Sequence, residues 1–164
     1  MTNLLFRQMV SLFIFLVSFS LSPLYASTEL KPLTGPIITL EDMKGKWVLI
    51  NFWASWCGPC IDEIRTLNQF YKSNGDQVRL FAVNMDDVSP HDQLELAKHY
   101  HLTYPSLDAK SAHAFIKQNI PAVPATFVFS PEGNLFKVLY GQLSDKHLDR
   151  IVRQAQPKQL SSRH

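Results

Sequence analysis

The sequence predicts an α/β domain in which a central mixed β-sheet is flanked by helices on both faces. Three observations carry this. Trp47–Trp53 and Val78–Asn84 are nearly continuous runs of strand formers, the pattern of central strands covered on both sides. Apolar residues between and after these runs recur at helical spacing, so strands alternate with helices. Ala125–Phe129 and Leu135–Tyr140 flank the turn Pro131-Glu132-Gly133-Asn134 and make a hairpin.

The elements follow in chain order. Arg7 is the only charge before Glu29, and the run from Met9 to Leu21 is apolar apart from Ser11, Ser18 and Ser20. Pro23 breaks this run, and Leu24-Tyr25-Ala26 offers a cleavage site before Ser27, so residues 1–26 read as a signal peptide. The alternative is an uncleaved anchor. The run is shorter than the roughly 20 residues of a spanning helix, which favours cleavage. Leu24, however, is larger than the small residue expected at its place. No cysteine lies near this site, so no lipid anchor is expected.

Residues 27–36 read as a loose, polar lead-in, residues 37–156 as the domain and residues 157–164 as a frayed tail. Ile37 to Leu40 is expected to be a short strand, and Glu41 to Lys46 a turn closed by Gly45. Ile61, Ile64, Leu67, Phe70 and Tyr71 mark a helix that Asn74-Gly75-Asp76 stops. Ser89 caps a helix with Pro90 at its first position, running to about Tyr100. A short helix is expected over Ser111 to Gln118. A last one, capped by Ser144, is expected to run through about Gln154.

The 164 residues carry 46% hydrophobic residues and a net charge of +2, enough for one domain with a real core. Lys and Arg are scattered among Asp and Glu, which leaves no stripe for nucleic acid. Export places the chain where disulfides persist, yet it holds only two cysteines, in Trp56-Cys57-Gly58-Pro59-Cys60. No long-range staple is available, so this pair either does chemistry or binds something.

A strand leads into the motif and a helix follows. At a helix start, unpaired N–H groups and the positive end of the dipole favour a thiolate, so Cys57 is the expected attacking sulfur. Cys60 lies one turn inside and is expected to resolve the mixed disulfide. Pro59 lacks an N–H where none is needed, and Gly58 lets a partner chain approach. Half a zinc site, or two ordinary buried cysteines, are the competing readings. Zinc takes about four ligands, however, and none of the histidines pairs with the motif at ligand spacing. Asp86, Asp87, His91, Asp92, His99 and His101 are read as solvated loop and helix surface rather than a metal site.

Val48-Leu49-Ile50-Asn51-Phe52-Trp53-Ala54-Ser55-Trp56-Cys57-Gly58-Pro59-Cys60 resembles the active-site segment of the thioredoxin superfamily. With the signal peptide, Asn51, Glu63 and Val123-Pro124-Ala125-Thr126-Phe127, the resemblance narrows to the TlpA/ResA/DsbE-like branch, over roughly Ile37 to Gln154. It implies a thioredoxin-like fold and an exported thiol:disulfide reductase, many of whose relatives serve cytochrome c maturation. Re-reduction is then the task of a membrane thiol carrier of the DsbD or CcdA type. No metal, flavin or nucleotide cofactor is implied, and a monomer is expected.

Pro124 matches the family's cis-proline, which lies opposite the disulfide and leaves Val123 free to pair with an extended substrate. Asn51 stands where thioredoxin has a buried, proton-relaying aspartate. Glu63, three residues after Cys60, matches a glutamate implicated in tuning the cysteines. The bland reading is that Asp62 and Glu63 merely suit a first helical turn. Trp56 is expected to line the substrate groove, and Trp53 to be core. Two rival functions are a disulfide-donating oxidase and a copper-binding chaperone on the same fold. A peroxidase is disfavoured because Ala54, not Thr or Ser, precedes Cys57 by three places.

Overall fold

In the computed structural model, which describes residues 29–155, the two long apolar runs lie side by side at the centre of one sheet. The elements run α1 (Leu40–Met43), β1 (Trp47–Trp53), α2 (Gly58–Asn74), β2 (Val78–Asn84), α3 (Pro90–His99), β3 (Ser106–Leu107), α4 (Ala109–Ile116), β4 (Ala125–Phe129), β5 (Leu135–Tyr140) and α5 (Asp145–Ala155). The sheet order is β3-β2-β1-β4-β5. β1, β2 and β3 are parallel, while β4 runs antiparallel to β1 and β5 antiparallel to β4. This is the mixed sheet expected from the sequence, with Ser106–Leu107 as an edge strand that the sequence did not announce. The expected signal peptide and the tail after Pro157 lie outside the described residues.

Successive side chains of a strand point to opposite faces, and β1 is buried throughout. Trp47, Leu49 and Trp53 pack with Cys60, Leu67 and Phe70 of α2 and with Leu148 and Ile151 of α5; Leu96 of α3 and the adjacent Tyr100 join this side. Val48, Ile50 and Phe52 pack on the other side with Leu30, Met43, Leu107, Ala112 and Ile116. Burial on both faces explains why β1 reads as one apolar run rather than an alternation. Among the described residues, no helix is long and apolar enough to cross a membrane.

Three expectations are corrected. Ile37 to Leu40 is not a strand: Ile38 makes a single bridge to Leu30, and Thr39 then caps α1. The Asp42 N–H donates to Thr39 Oγ1, and Asp42 Oδ2 accepts from the Thr39 N–H at 2.8 Å, a capping box that turns the chain into helix. The lead-in is also tied down. Leu30 is fully buried and exchanges two 2.9 Å backbone bonds with Ile38, while Leu33 N–H donates to Ser106 and Asp108 N–H to the Lys31 carbonyl. The helix expected over Ser111 to Gln118 begins earlier, at Ala109, because Asp108 caps it by accepting from Ser111 N–H at 2.8 Å.

Candidate active site

β1 delivers the chain to the cysteines. It ends at Trp53, whose carbonyl accepts from Met85 N–H at 2.8 Å. A turn follows, closed by Cys57 N–H to the Ala54 carbonyl at 3.1 Å. Cys57 is then the N-cap of α2, extended at φ −94° and ψ 96°, and its Sγ accepts from Cys60 N–H at 3.3 Å. Cys57 and Cys60 form a disulfide across 5.2 Å of Cα separation. Cys57 is 6% exposed and Cys60 fully buried, so the outer sulfur is the one a partner meets first. Gly58 and Pro59 are exposed, and Trp56 stands 71% exposed beside them. Trp53 is core, edge-on to Tyr100 at 5.6 Å.

The register brings Val123 and Pro124 to the same end of the sheet. Ala125 opposes Phe52, so Pro124 lies one step beyond, level with the start of the cysteine loop. The Val123–Pro124 bond is cis, and the buried Pro124 offers its carbonyl to Gly141 N–H at 2.8 Å. Val123 packs against the core cluster that contains both cysteines. Among the described residues, its backbone makes no hydrogen bond to another backbone group.

Glu63 is fully buried on the inner side of α2. Its Oε1 accepts from Asn51 Nδ2 at 2.8 Å, and its Oε2 from Leu143 N–H at 2.7 Å. Asn51 Nδ2 also donates to Thr126 Oγ1 at 3.0 Å. Burial pushes the Glu63 carboxyl above its ordinary range, while the bonds from Leu143 and Asn51 hold it back in part. Tyr104 is also buried in this cluster, with no partner for its hydroxyl among the described residues. Burial, and secondarily the Glu63 charge, push that phenol upward. Asn51, read from sequence only as a lost proton acceptor, is thus the donor that holds Glu63. Asp62 is exposed.

The sequence reading missed Asp86. It is not a free surface acid: Oδ2 accepts from Ser55 N–H and Oδ1 from Ser55 Oγ, both at 2.9 Å. The signal was available, because Asn84-Met85-Asp86 ends the strand parallel to β1 and so must finish beside the cysteine loop. Asp87, His91, Asp92, His99 and His101 are exposed, as expected. Among the described residues, no three His, Cys, Asp or Glu side chains gather as a metal site.

Residues 25–138 match the AhpC/TSA family. Thioredoxin-like protein YneN of Bacillus subtilis is 32% identical over 125 residues, which covers 74% of this chain and 72% of that protein. Thiol-disulfide oxidoreductase ResA of the same organism is 28% identical over 135 residues, covering 80% and 74% respectively. Among solved structures, a DsbF homologue from Corynebacterium diphtheriae superposes with a TM-score of 0.65 at 26% identity, over 77% of this chain and 82% of that one. A redox-capable cysteine pair capping a helix, on this sheet and among these relatives, places the chain in the AhpC/TSA family as a thioredoxin-fold thiol:disulfide oxidoreductase of the TlpA/ResA/DsbE-like kind.

Proposed function

We propose that the chain is an exported, periplasmic reductase of protein disulfides, with cytochrome c maturation as a setting that suits it. The observation that carries this is the asymmetric pair: Cys57 at the rim as helix cap and Cys60 sealed beneath it. The Cys57 thiolate attacks one sulfur of a substrate disulfide. A Cys57–substrate bond forms, and the other substrate sulfur leaves as a thiolate and takes up a proton. Cys60 loses its proton and attacks Cys57 Sγ, which forms the Cys57–Cys60 bond and releases the second substrate thiol. Two electrons pass from the chain to its substrate, so a second dithiol, on a membrane carrier of the DsbD or CcdA type, must restore the reduced pair.

Glu63 is the group assigned to take the Cys60 proton. Its raised pKa and its place one turn along α2 support that role. Trp56, Gly58, Pro59 and Val123 form the surface on which the substrate chain lies, with the buried Pro124 shaping it from behind: three are exposed beside Cys57, and Val123 and Pro124 lie at the matching end of β4. The export signal in residues 1–26 supports the compartment.

The test is turnover of insulin disulfides with a dithiol reductant, alongside covalent trapping on Cys60→Ser. The wild type reduces insulin, Cys57→Ser does not, and Cys60→Ser accumulates a mixed disulfide through Cys57. A wild type that leaves insulin oxidised while oxidising reduced substrates overturns the reductase reading.

A further inference from the structure

Ser55 is held from two sides by one carboxylate. Asp86 receives both its N–H and its hydroxyl at 2.9 Å. Asn84, 3% exposed, fixes that carboxylate in turn: its Nδ2 donates to Asp86 Oδ2 at 2.6 Å, and its Oδ1 accepts from Asp86 N–H at 3.0 Å. We propose that Asp86 is a positioning residue of the thiol-disulfide reaction, which through Ser55 holds the loop that seats Cys57 on the start of α2.

The loop has few other ties. Between the end of β1 and the cap, the backbone bonds are Met85 N–H to Trp53 and Cys57 N–H to Ala54. Tyr100 Oη reaches the Ser55 carbonyl only at 3.5 Å. The paired, charge-assisted bonds from Asp86 are the strongest contact there. Cys57 must keep its extended cap conformation for Sγ to sit over Cys60 N–H, and in the dithiol the same N–H groups favour the thiolate. A loosened loop therefore weakens the thiolate. The charge of Asp86, acting alone, does the opposite, because a nearby carboxylate disfavours a second anion. Hold and charge have opposite signs.

The inference rests on Cys57 being the attacking thiol, but its test needs no substrate. The rate of iodoacetamide alkylation of Cys57 in the reduced protein is measured against pH for wild type, Ser55→Ala, Asp86→Asn and Asp86→Ala. Glu63 on α2, Asp87 after β2 and Tyr100 after α3 are the same residues in all four proteins. The midpoint rises in Ser55→Ala, where the charge is kept, and rises further in Asp86→Ala, by about half a unit or more, roughly a threefold loss of thiolate below the midpoint. No rise in Ser55→Ala, where the charge is unchanged, overturns the proposal and leaves Asp86 a charge or packing role. Should Asp86→Ala not fold, Ser55→Ala decides, because the charge is kept there: a midpoint above wild type supports the hold, and one at or below it overturns it. These outcomes stand whether or not the wild type reduces insulin, which tests the reductase reading separately.

Discussion

Glu63 is a carboxyl group that the fold buries completely. Two donors, Asn51 Nδ2 and Leu143 N–H, replace part of its hydration, and burial still wins, so the folded pKa lies above the ordinary one. The consequence for stability has a definite sign. A raised folded pKa means that the fold binds the proton more tightly than the unfolded chain does. The stabilising contribution is complete below the ordinary pKa and is lost as pH rises through the raised one. Glu63→Gln cannot ionise, so its stability relative to wild type improves as pH rises from about 4.5 through the raised folded pKa, read from thermal melts. The variant keeps both contacts only if the Asn51 carboxamide turns over, and it loses about 1 kcal/mol otherwise. In catalysis, Glu63→Gln slows disulfide reduction about tenfold or more and changes its pH profile, while exposed Asp62→Asn does neither. Superimposed rate profiles for the three proteins leave Glu63 as a packing residue. The position of Glu63 relative to Cys60 was legible in the sequence. Its partner was not, because an Asn in a strand and a Glu in the second turn of a helix each look ordinary until the fold brings them together.

Elements long enough to show a period were readable, and those held only by distant contacts were not. β1, β2, β4 and β5 announce themselves through runs of five to seven residues rich in strand formers. β3 has two residues and exists because Ser106 and Leu107 meet Ala82 and Val83 across the sheet. The lead-in is the sharper case. Leu30 shares a polar stretch with only Leu33, too little to show a period, yet it is fully buried against Leu107 and the far-side core. Its backbone bonds to Ile38, and those of its neighbours to Ser106 and Asp108, fasten residues 30–33 across that face. Leu30→Ala therefore removes a core side chain rather than a tail residue, and costs about 2–4 kcal/mol of unfolding free energy. Urea denaturation of the 27–164 chain checks this. A loss below about 0.5 kcal/mol, typical of a surface substitution, returns the segment to the status of a loose lead-in.

At the scale of the whole molecule, the fold and the reactive pair were legible because one motif fixes both, but the direction of electron flow is a property of the entire folded chain. The Cys57–Cys60 bond is the only disulfide that the chain's two cysteines allow, so reducing it changes no other covalent link. Folding and reduction are then linked: whichever redox form melts higher is the form that the fold favours relative to the unfolded chain. Two features of the site oppose each other. The start of α2 stabilises a Cys57 thiolate, which favours the dithiol. Against this, Cys60 is fully buried among Leu67, Phe70 and Trp53, and the buried Glu63 carboxylate lies one turn away, so a second negative charge is resisted. The neutral disulfide suits that interior better. The oxidised protein therefore melts above the reduced one by about 3 °C or more, equivalent to roughly 1 kcal/mol in a domain of this size. Calorimetry on both forms at neutral pH, with the thiols kept reduced in one, measures it. A disulfide donor shows the reverse order, because its reduced form is the stabilised one. A reduced protein that outlasts the oxidised one thus makes this chain a source of disulfides, with the same two sulfurs and the same helix working in the other direction.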